Sequence, residues 1–264
     1  MKITNPSKMK NKKLFVFDLD DTLAESKIPM DQEMASLVLE LITKKKMAVI
    51  GGGKYELFKW QFLASLKTKS KILENLFLFP TSGSAFYRYK SGWKKVYGYN
   101  LSAAEKKQIR QAFDQVFKDI NYKHPKKVYG DILEDRITQI SFSPLGQDIA
   151  MVLGRKGVQK KKEWRDKYDH IRLDIAKRLA KYLPNLEVRV GGITTIDVTM
   201  KGIDKAYGVR QMEKHLKIKI KDMFFVGDAI FPGGNDYAVL KTKIDYMQVE
   251  GSEETKEIIR KILE

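Results

Sequence analysis

Lys13-Leu14-Phe15-Val16-Phe17-Asp18-Leu19-Asp20-Asp21-Thr22 is the stretch that decides the fold. Its apolar part is β-branched and aromatic and stops abruptly at acidic residues, the pattern of a buried parallel strand that delivers polar groups at its C-terminal end. Ligands bind at such strand ends in open α/β sheets. Asp18 and Asp20 stand at alternate positions beyond the strand, so both carboxylates can face one crevice. Two close carboxylates repel unless a proton or cation lies between them, and hard oxygen ligands suit Mg²⁺, which keeps waters and binds phosphate oxygens. A bare Asp-x-Asp also describes two solvated residues capping a turn, so the rest of the chain has to choose.

Outward from that strand, apolar residues at Met34, Leu37, Val38, Leu41 and Ile42 have helical spacing, and Met47-Ala48-Val49-Ile50 reads as a second strand stopped by Gly51-Gly52-Gly53. Glycines beyond a strand can be a plain turn or a backbone nest facing phosphate. A helix is expected over 54–67, with Tyr55, Phe58, Phe62 and Leu66 on one face. Residues 85–89 and 94–97 flank Ser91-Gly92 as a hairpin. Ser102 with Glu105 then forms a capping box for a helix to about residue 120. A strand at 137–142, a long amphipathic helix at 160–182 and a strand pair, 187–190 and 195–198, turned at Gly191-Gly192, complete an α+β stretch, so 98–194 reads as one lid. The parallel texture resumes with a helix from about Asp204 and the strand Met223 to Val226, ending in Gly227-Asp228. The turn-rich run Pro232-Gly233-Gly234-Asn235-Asp236 can fold back beside a cation, and Lys205 at a helix start can neutralise a nucleophile and a phosphate oxygen.

Composition narrows the class. The 264 residues are 43% hydrophobic and 31% charged, a globular balance with room for a core domain and an insert. No run approaches the roughly 20 apolar residues needed to span a bilayer, and residues 1–13 lack a leader-type apolar run, so a cytoplasmic, membrane-free setting is expected. The absence of cysteine removes disulfides, thiolate metal sites and thiol nucleophiles. The net charge of +17 is spread in short groups such as Lys44 to Lys46, Lys94-Lys95 and Lys160 to Lys162, with acids between many of them. That is the distribution of solvated faces rather than of a nucleic-acid surface. His124, His170 and His215 have no ligand spacing, and the three tryptophans read as packing residues.

In their order along the chain, Asp18 to Thr22, Gly51-Gly52, Lys205, Gly227-Asp228 and Asn235-Asp236 resemble the haloacid dehalogenase superfamily. The similarity is greatest to its phosphomannomutase branch, through Val49 to Gly53, Ser143-Pro144-Leu145-Gly146, Gly191-Gly192, Ile196-Asp197-Val198, Gly202 to Lys205 and Pro232 to Asp236. The resemblance implies an α/β fold, a Rossmann-like core from residues 1–97 and 195–264 with an inserted α+β cap over 98–194 that closes over substrate. It implies Asp18 as the nucleophile forming an aspartyl-phosphate, Asp20 as the acid and base, and Thr22 and Lys205 holding phosphate and nucleophile. Mg²⁺ would be held by Asp18, the Asp20 carbonyl and Asp228, with Asn235 and Asp236 as further or water-mediated ligands. Lys27, Gly51, Gly52, Arg136, Gln147, Thr195 and Asp197 are the substrate-binding candidates, for a small phosphate ester of the sugar-phosphate class.

The departures matter. Gln147 stands where the family places a phosphate-gripping arginine after Ser-Pro-x-Gly, Tyr129 and Lys27 also stand at family arginine positions, and Asp21 replaces a glycine. Arg136 and Arg155 are the compensating candidates. A mutase must hold a bisphosphorylated sugar, so loss of cap cations places a phosphohydrolase ahead of a phosphomannomutase, and a non-catalytic nucleic-acid binder behind both. By the same logic, arginine restored at 147 is expected to tighten bisphosphate binding. The oligomeric state stays open, a homodimer included.

Overall fold

Leu14–Asp18 is a strand buried on both faces, β1, because its side chains alternate between two apolar layers. The computed structural model describes residues 9, 11–68 and 71–264; the leader reading falls mostly on residues 1–8 and 10, outside the described residues. The chain forms two units, one of residues 1–98 and 204–264 and one of 99–203. In the first, β1 is followed by helix α1 (Gln32–Lys44), β2 (Lys46–Ile50), α2 (Tyr55–Phe58), a π-helical turn (Lys59–Leu63), α3 (Ala64–Leu66), β3 (Leu76–Phe79), β4 (Ala85–Tyr89) and β5 (Trp93–Gly98). The second unit holds α4 (Ala103–Asp119), β6 (Leu133–Asp135), β7 (Gln139–Phe142), α5 (Ile149–Leu153), α6 (Arg155–Tyr182), β8 (Leu186–Gly191) and β9 (Thr195–Met200). The first unit resumes with α7 (Lys205–Leu216), β10 (Met223–Gly227), β11 (Asp245–Gln248) and α8 (Ser252–Leu263).

The first unit's sheet has the order β11-β10-β1-β2-β3-β4-β5, parallel from β11 to β3 and antiparallel through β4 and β5. Phe15, Phe17, Met47 and Val49 face one apolar layer with Met34, Val38 and Ile259 from α1 and α8. Leu14, Val16, Ala48 and Ile50 face the other, with Val209 and Met212 from α7. Asp31 caps α1 by accepting from Met34 N at 2.8 Å, and Lys256 of α8 pairs with both Asp31 and Glu33. The π turn interrupts the expected 54–67 helix and faces Gln61 and Phe62 inward.

The second unit is an antiparallel sheet, β6-β7-β9-β8, whose apolar face (Ile140, Phe142, Ile196, Val198) packs on Ile109 and Phe113 of α4 and Ile175 and Leu179 of α6. Its boundaries correct the expected ones. β9, Thr195–Met200, pairs with β7 on one side and β8 on the other, so Thr195 already belongs to that sheet, and the second unit runs to Ile203 rather than to 194. The expected strand at 137–142 starts only at Gln139, since Ile137 has φ 70°, outside the β region. Among the described residues no helix is long and apolar enough to cross a membrane.

Candidate active site

The first unit's strands bring the acidic motifs together through register. Asp18 ends β1, whose Phe17 lies beside Val226 of β10, so Asp228, one residue beyond β10, emerges from the neighbouring strand end. The loop after it returns Asp236, whose carboxylate accepts from Ala229 N at 3.1 Å. Gly227 is required here, because a Cβ would overlap the Asp236 carboxylate. Lys205 is the first residue of α7, a helix capped by Asp204, which accepts from Tyr207 N at 2.7 Å.

Lys205 Nζ lies 2.7 Å from Asp18 Oδ1 and 2.5 Å from Asp236 Oδ1, and all three side chains are at most 2% exposed. Carboxylate oxygens of Asp18, Asp228 and Asp236 lie within 4.8 Å of one another. Thr22, fully buried, places its hydroxyl 3.5 Å from Asp228 Oδ1. Burial, then Asp236, raises the Asp18 carboxyl well above its ordinary range despite Lys205. The same two causes push Asp228 up to about 7. Burial works against charge on Lys205 too, yet Asp18 and Asp236 outweigh it and hold the ammonium above its usual range. Three carboxylates against one ammonium leave a buried negative surplus. Asn235 adds a buried Oδ1 with no protein partner. Hard oxygen donors, excess negative charge and an unpartnered acceptor are what a divalent cation such as Mg²⁺ requires. In the haloacid-dehalogenase family Mg²⁺ is the usual metal, and these residues fit it.

Asp20 is held differently. Its Oδ1 accepts from Lys27 N and from Gln61 Nε2, each at 3.0 Å. The loop between them is a tight fold in which Leu23 N and Ala24 N donate to Leu19 O. Asp21 has φ 56°, and its carboxylate accepts from Ser26 N at 3.1 Å. The residue that replaces the family's glycine therefore adopts the left-handed conformation glycine would have, which Asp tolerates. Lys27 also has positive φ, and it is through its backbone N–H that it serves Asp20. Gln61, fully buried on the π turn, is marked in the sequence only as a polar residue on the apolar face of Phe58 and Phe62.

Gly51 corrects an expectation. Its N–H donates to Phe79 O at 3.3 Å and its carbonyl accepts from Ser82 N at 2.8 Å, so that amide holds the loop rather than facing a phosphate. A missing Cβ matters at Gly51 because Leu19 and Phe58 approach to 3.3 and 3.4 Å of where it would be. Its neighbour Gly52 is half-buried.

The remaining candidates lie in the second unit. Register aligns Glu134, Ser141, Asp197 and Arg189 across its four strands, a polar row on the face opposite the apolar layer. Asp197 Oδ1 accepts from Ser141 Oγ at 2.6 Å and lies 3.9 Å from Arg136 Nη1, while Arg136 Nε donates to Glu134 at 2.7 Å. Thr195 Oγ1 donates to Gly191 O at 2.5 Å. Gln147 is a correction. It is 2% exposed, its Oε1 accepts from Arg136 Nη2 and its Nε2 donates to Ser141 O, both at 2.9 Å, so it positions Arg136 rather than presenting an amide to a ligand.

Comparison with known proteins agrees with this geometry. Residues 34–264 match the family model of eukaryotic phosphomannomutase. A phosphomannomutase of Encephalitozoon cuniculi is 26% identical over 246 residues, covering 88% of this chain and 86% of that protein. Phosphomannomutase 2 of Dictyostelium discoideum is 28% identical over 234 residues, 85% of each. Among solved structures, an IMP-bound, N-terminally truncated Plasmodium falciparum IMP-nucleotidase superposes with TM-score 0.69 at 16% identity, over 98% of this chain and 71% of that one. A haloacid dehalogenase-like hydrolase from Bacteroides thetaiotaomicron gives 0.61 at 13% identity, over 95% and 99%. The structural likenesses establish the Rossmann-like haloacid-dehalogenase fold, and the sequence relatives place an enzyme of the phosphotransferase type upon it. With a parallel-sheet core, converging strand-end carboxylates and a family match running from α1 to the end of α8, the chain belongs to the eukaryotic phosphomannomutase family.

Proposed function

We propose that this enzyme, in a cytoplasmic setting, transfers the phosphoryl group of a sugar monophosphate to Asp18 and then to water. The observation that carries the reading is the buried Asp18–Lys205–Asp236 chain of contacts at 2.7 and 2.5 Å. Lys205 offsets part of the burial cost on Asp18 and, by engaging Oδ1, leaves the other oxygen to attack phosphorus; the P–O bond to the sugar breaks as the Asp18–P bond forms. Asp18, Asp228 and Asp236, with Asn235 and the Asp20 carbonyl, are the residues that would hold Mg²⁺. When bound, that ion neutralises phosphoryl oxygens.

Asp20 serves as acid and base. Because Lys27 N–H and Gln61 Nε2 both donate to Oδ1, the proton is carried by Oδ2. It passes to the departing sugar oxygen and is replaced from the water that later attacks the aspartyl-phosphate. Gln61 is thus a positioning residue for Asp20.

Hydrolysis ranks ahead of mutase chemistry for a reason in the second unit. The guanidiniums of Arg136 and Arg189 on its polar face already meet the carboxylates of Glu134, Asp197 and Glu187, at 2.7, 3.9 and 3.5 Å. Two cations against three anions suit sugar hydroxyls better than a second phosphate dianion. Family membership and the retained Thr195 and Asp197 favour the alternative, interconversion of hexose 1- and 6-phosphates. With Mg²⁺ present, phosphate release from mannose and glucose phosphates is compared with isomerisation in the presence of a hexose bisphosphate. Release should dominate; fast isomerisation without release selects the mutase. Asp18→Asn should abolish both, and near-normal turnover would remove Asp18 from the nucleophile's role.

A further inference from the structure

In the first unit β1 runs from lysines to the Asp18 carboxylate, and its neighbour β2 starts at lysines beside it. Lys12 and Lys13 precede β1, Lys44 and Lys45 precede β2, which begins at Lys46, and the register sets Leu14 beside Lys46. These five lysines, with Asn11, Asn75 and Ile218, line a cavity of about 500 Å³. It lies at the starts of β1 and β2, at the opposite end of β1 from Asp18, so it is separate from the catalytic constellation. Among the described residues no carboxylate lines it.

The lysines are not equivalent. Lys12 is 7% exposed and is held by Asp245 at 2.6 Å and the Lys221 carbonyl, so it forms a fixed wall. Lys13 and Lys44 are themselves exposed; Lys13 pairs with half-buried Asp222 at 3.3 Å, and Lys44 with exposed Glu40 at 3.1 Å and the Leu263 carbonyl at 3.4 Å, screened contacts worth little and readily exchanged for a better anion. Lys46 is exposed and has no partner among the described residues. Lys13 and Lys44 each meet one carboxylate and Lys46 none among the described residues, so the concave site carries positive charge, which costs stability unless an anion neutralises it. Asn11 also lines it, and so does Asn75, whose Nδ2 donates to the Ile42 carbonyl at 2.9 Å. The volume matches that of small-molecule sites, roughly 300–1,000 Å³.

We infer that this cavity is a binding site for a compact, multiply phosphorylated small molecule, distinct from the substrate. Its phosphates would meet Lys13, Lys44 and Lys46, with Lys12 supplying fixed positive charge beneath them. Inorganic tripolyphosphate is the probe, titrated calorimetrically into the whole protein without added Mg²⁺ at near-physiological salt, where exposed charges are screened beyond about 8 Å. One saturable site is expected. Lys45→Ala with Lys46→Ala should weaken it by about tenfold or more, the scale of losing one or two charge-assisted contacts. The pair Lys94→Ala, Lys95→Ala, two exposed lysines of β5, should leave it unchanged. Lys46→Ala alone, at an exposed strand start, gives the same direction if the double variant fails to fold. Equal weakening by both pairs would mean diffuse attraction to a basic protein and would overturn the inference. So would binding insensitive to Lys46, which would place the anion at Lys205, or tighter binding of a single-stranded oligonucleotide than of tripolyphosphate at the same lysines.

Discussion

Gln147 engages both amide atoms within its own unit, at Arg136 and at the Ser141 carbonyl. An arginine there would bring a second guanidinium against Arg136 in a buried place and could not reproduce the contact to Arg136, which needs an acceptor. Gln147→Arg is therefore expected to destabilise the protein by about 2–4 kcal/mol, as unpaired buried charges do, and to give no selective gain for bisphosphates. That reverses what the motif alone suggested. Denaturant unfolding with calorimetry of mono- and bisphosphates checks it; unchanged stability with tighter bisphosphate binding would restore the earlier reading. Motif position names a residue but not what its side chain meets. Asp18, Asp228 and Lys205 are legible because strand ends and helix starts follow from local periodicity; the β1–β10 register then brings the two carboxylates to neighbouring strand ends, while the lysine comes from the start of α7. Gln61 was not legible, since its contact with Asp20 spans 41 residues and depends on a π turn. Gln61→Ala should lower kcat on alkyl phosphates by about tenfold or more while sparing p-nitrophenyl phosphate, whose leaving group needs little protonation. Equal losses on both esters would make Gln61 merely structural.

Elements carry a second constraint, the closeness of α7 to the turn after β3. Gly83 has φ 86°, and a Cβ there would come within 2.5 Å of the Gly208 Cα, a backbone atom that cannot yield without moving α7. Since α7 begins with Lys205, Gly83→Ala should shift the ammonium from Asp18 as well as strain the turn. A loss of about 2–4 kcal/mol in unfolding free energy together with reduced turnover is expected, and urea titration with an activity assay measures both. Full activity in a destabilised protein would uncouple the turn from the lysine. The sequence contains both glycines but no sign of their meeting. In the same way the strand at 195–198 was visible by its alternation, whereas its membership of the second sheet was not, because pairing partners lie outside any local window. β3 and β11 were missed for a related reason. Four residues each, they show too little pattern to be told from loop or helix. The parallel core nonetheless followed from β1, β2 and β10, whose unbroken apolar runs admit burial on both faces.

For the whole molecule, a net charge of +17 surrounds a centre with the opposite sign, where Asp18, Asp228 and Asp236 share one lysine. Burial and the neighbouring Asp236 raise Asp228 from 3.8 to about 7, and raise Asp18 in the same direction. Without a cation the folded chain therefore holds protons that the unfolded chain releases, and stability falls as pH rises from about 4 through about 7, the full cost being present above that. Mg²⁺ reverses the sign by giving the carboxylates a counter-charge, so it competes with protons for the same site. In EDTA the unfolding midpoint should be lower at pH 8 than at pH 6 by this contribution, and saturating Mg²⁺ should raise it more at pH 8 than at pH 6. Asp228→Asn removes one of the opposed carboxylates while keeping a hydrogen-bonding group near Thr22. It should raise cation-free stability at pH 8 by about 1–3 kcal/mol, given that one unit of pKa is worth about 1.4 kcal/mol, and should largely abolish the Mg²⁺-dependent gain and turnover with it. Scanning calorimetry of the two proteins with EDTA and with Mg²⁺ decides the matter. If Asp228→Asn keeps the wild-type response to Mg²⁺, the ion is held elsewhere, and the surplus charge at the strand ends is tolerated for some purpose other than binding a metal.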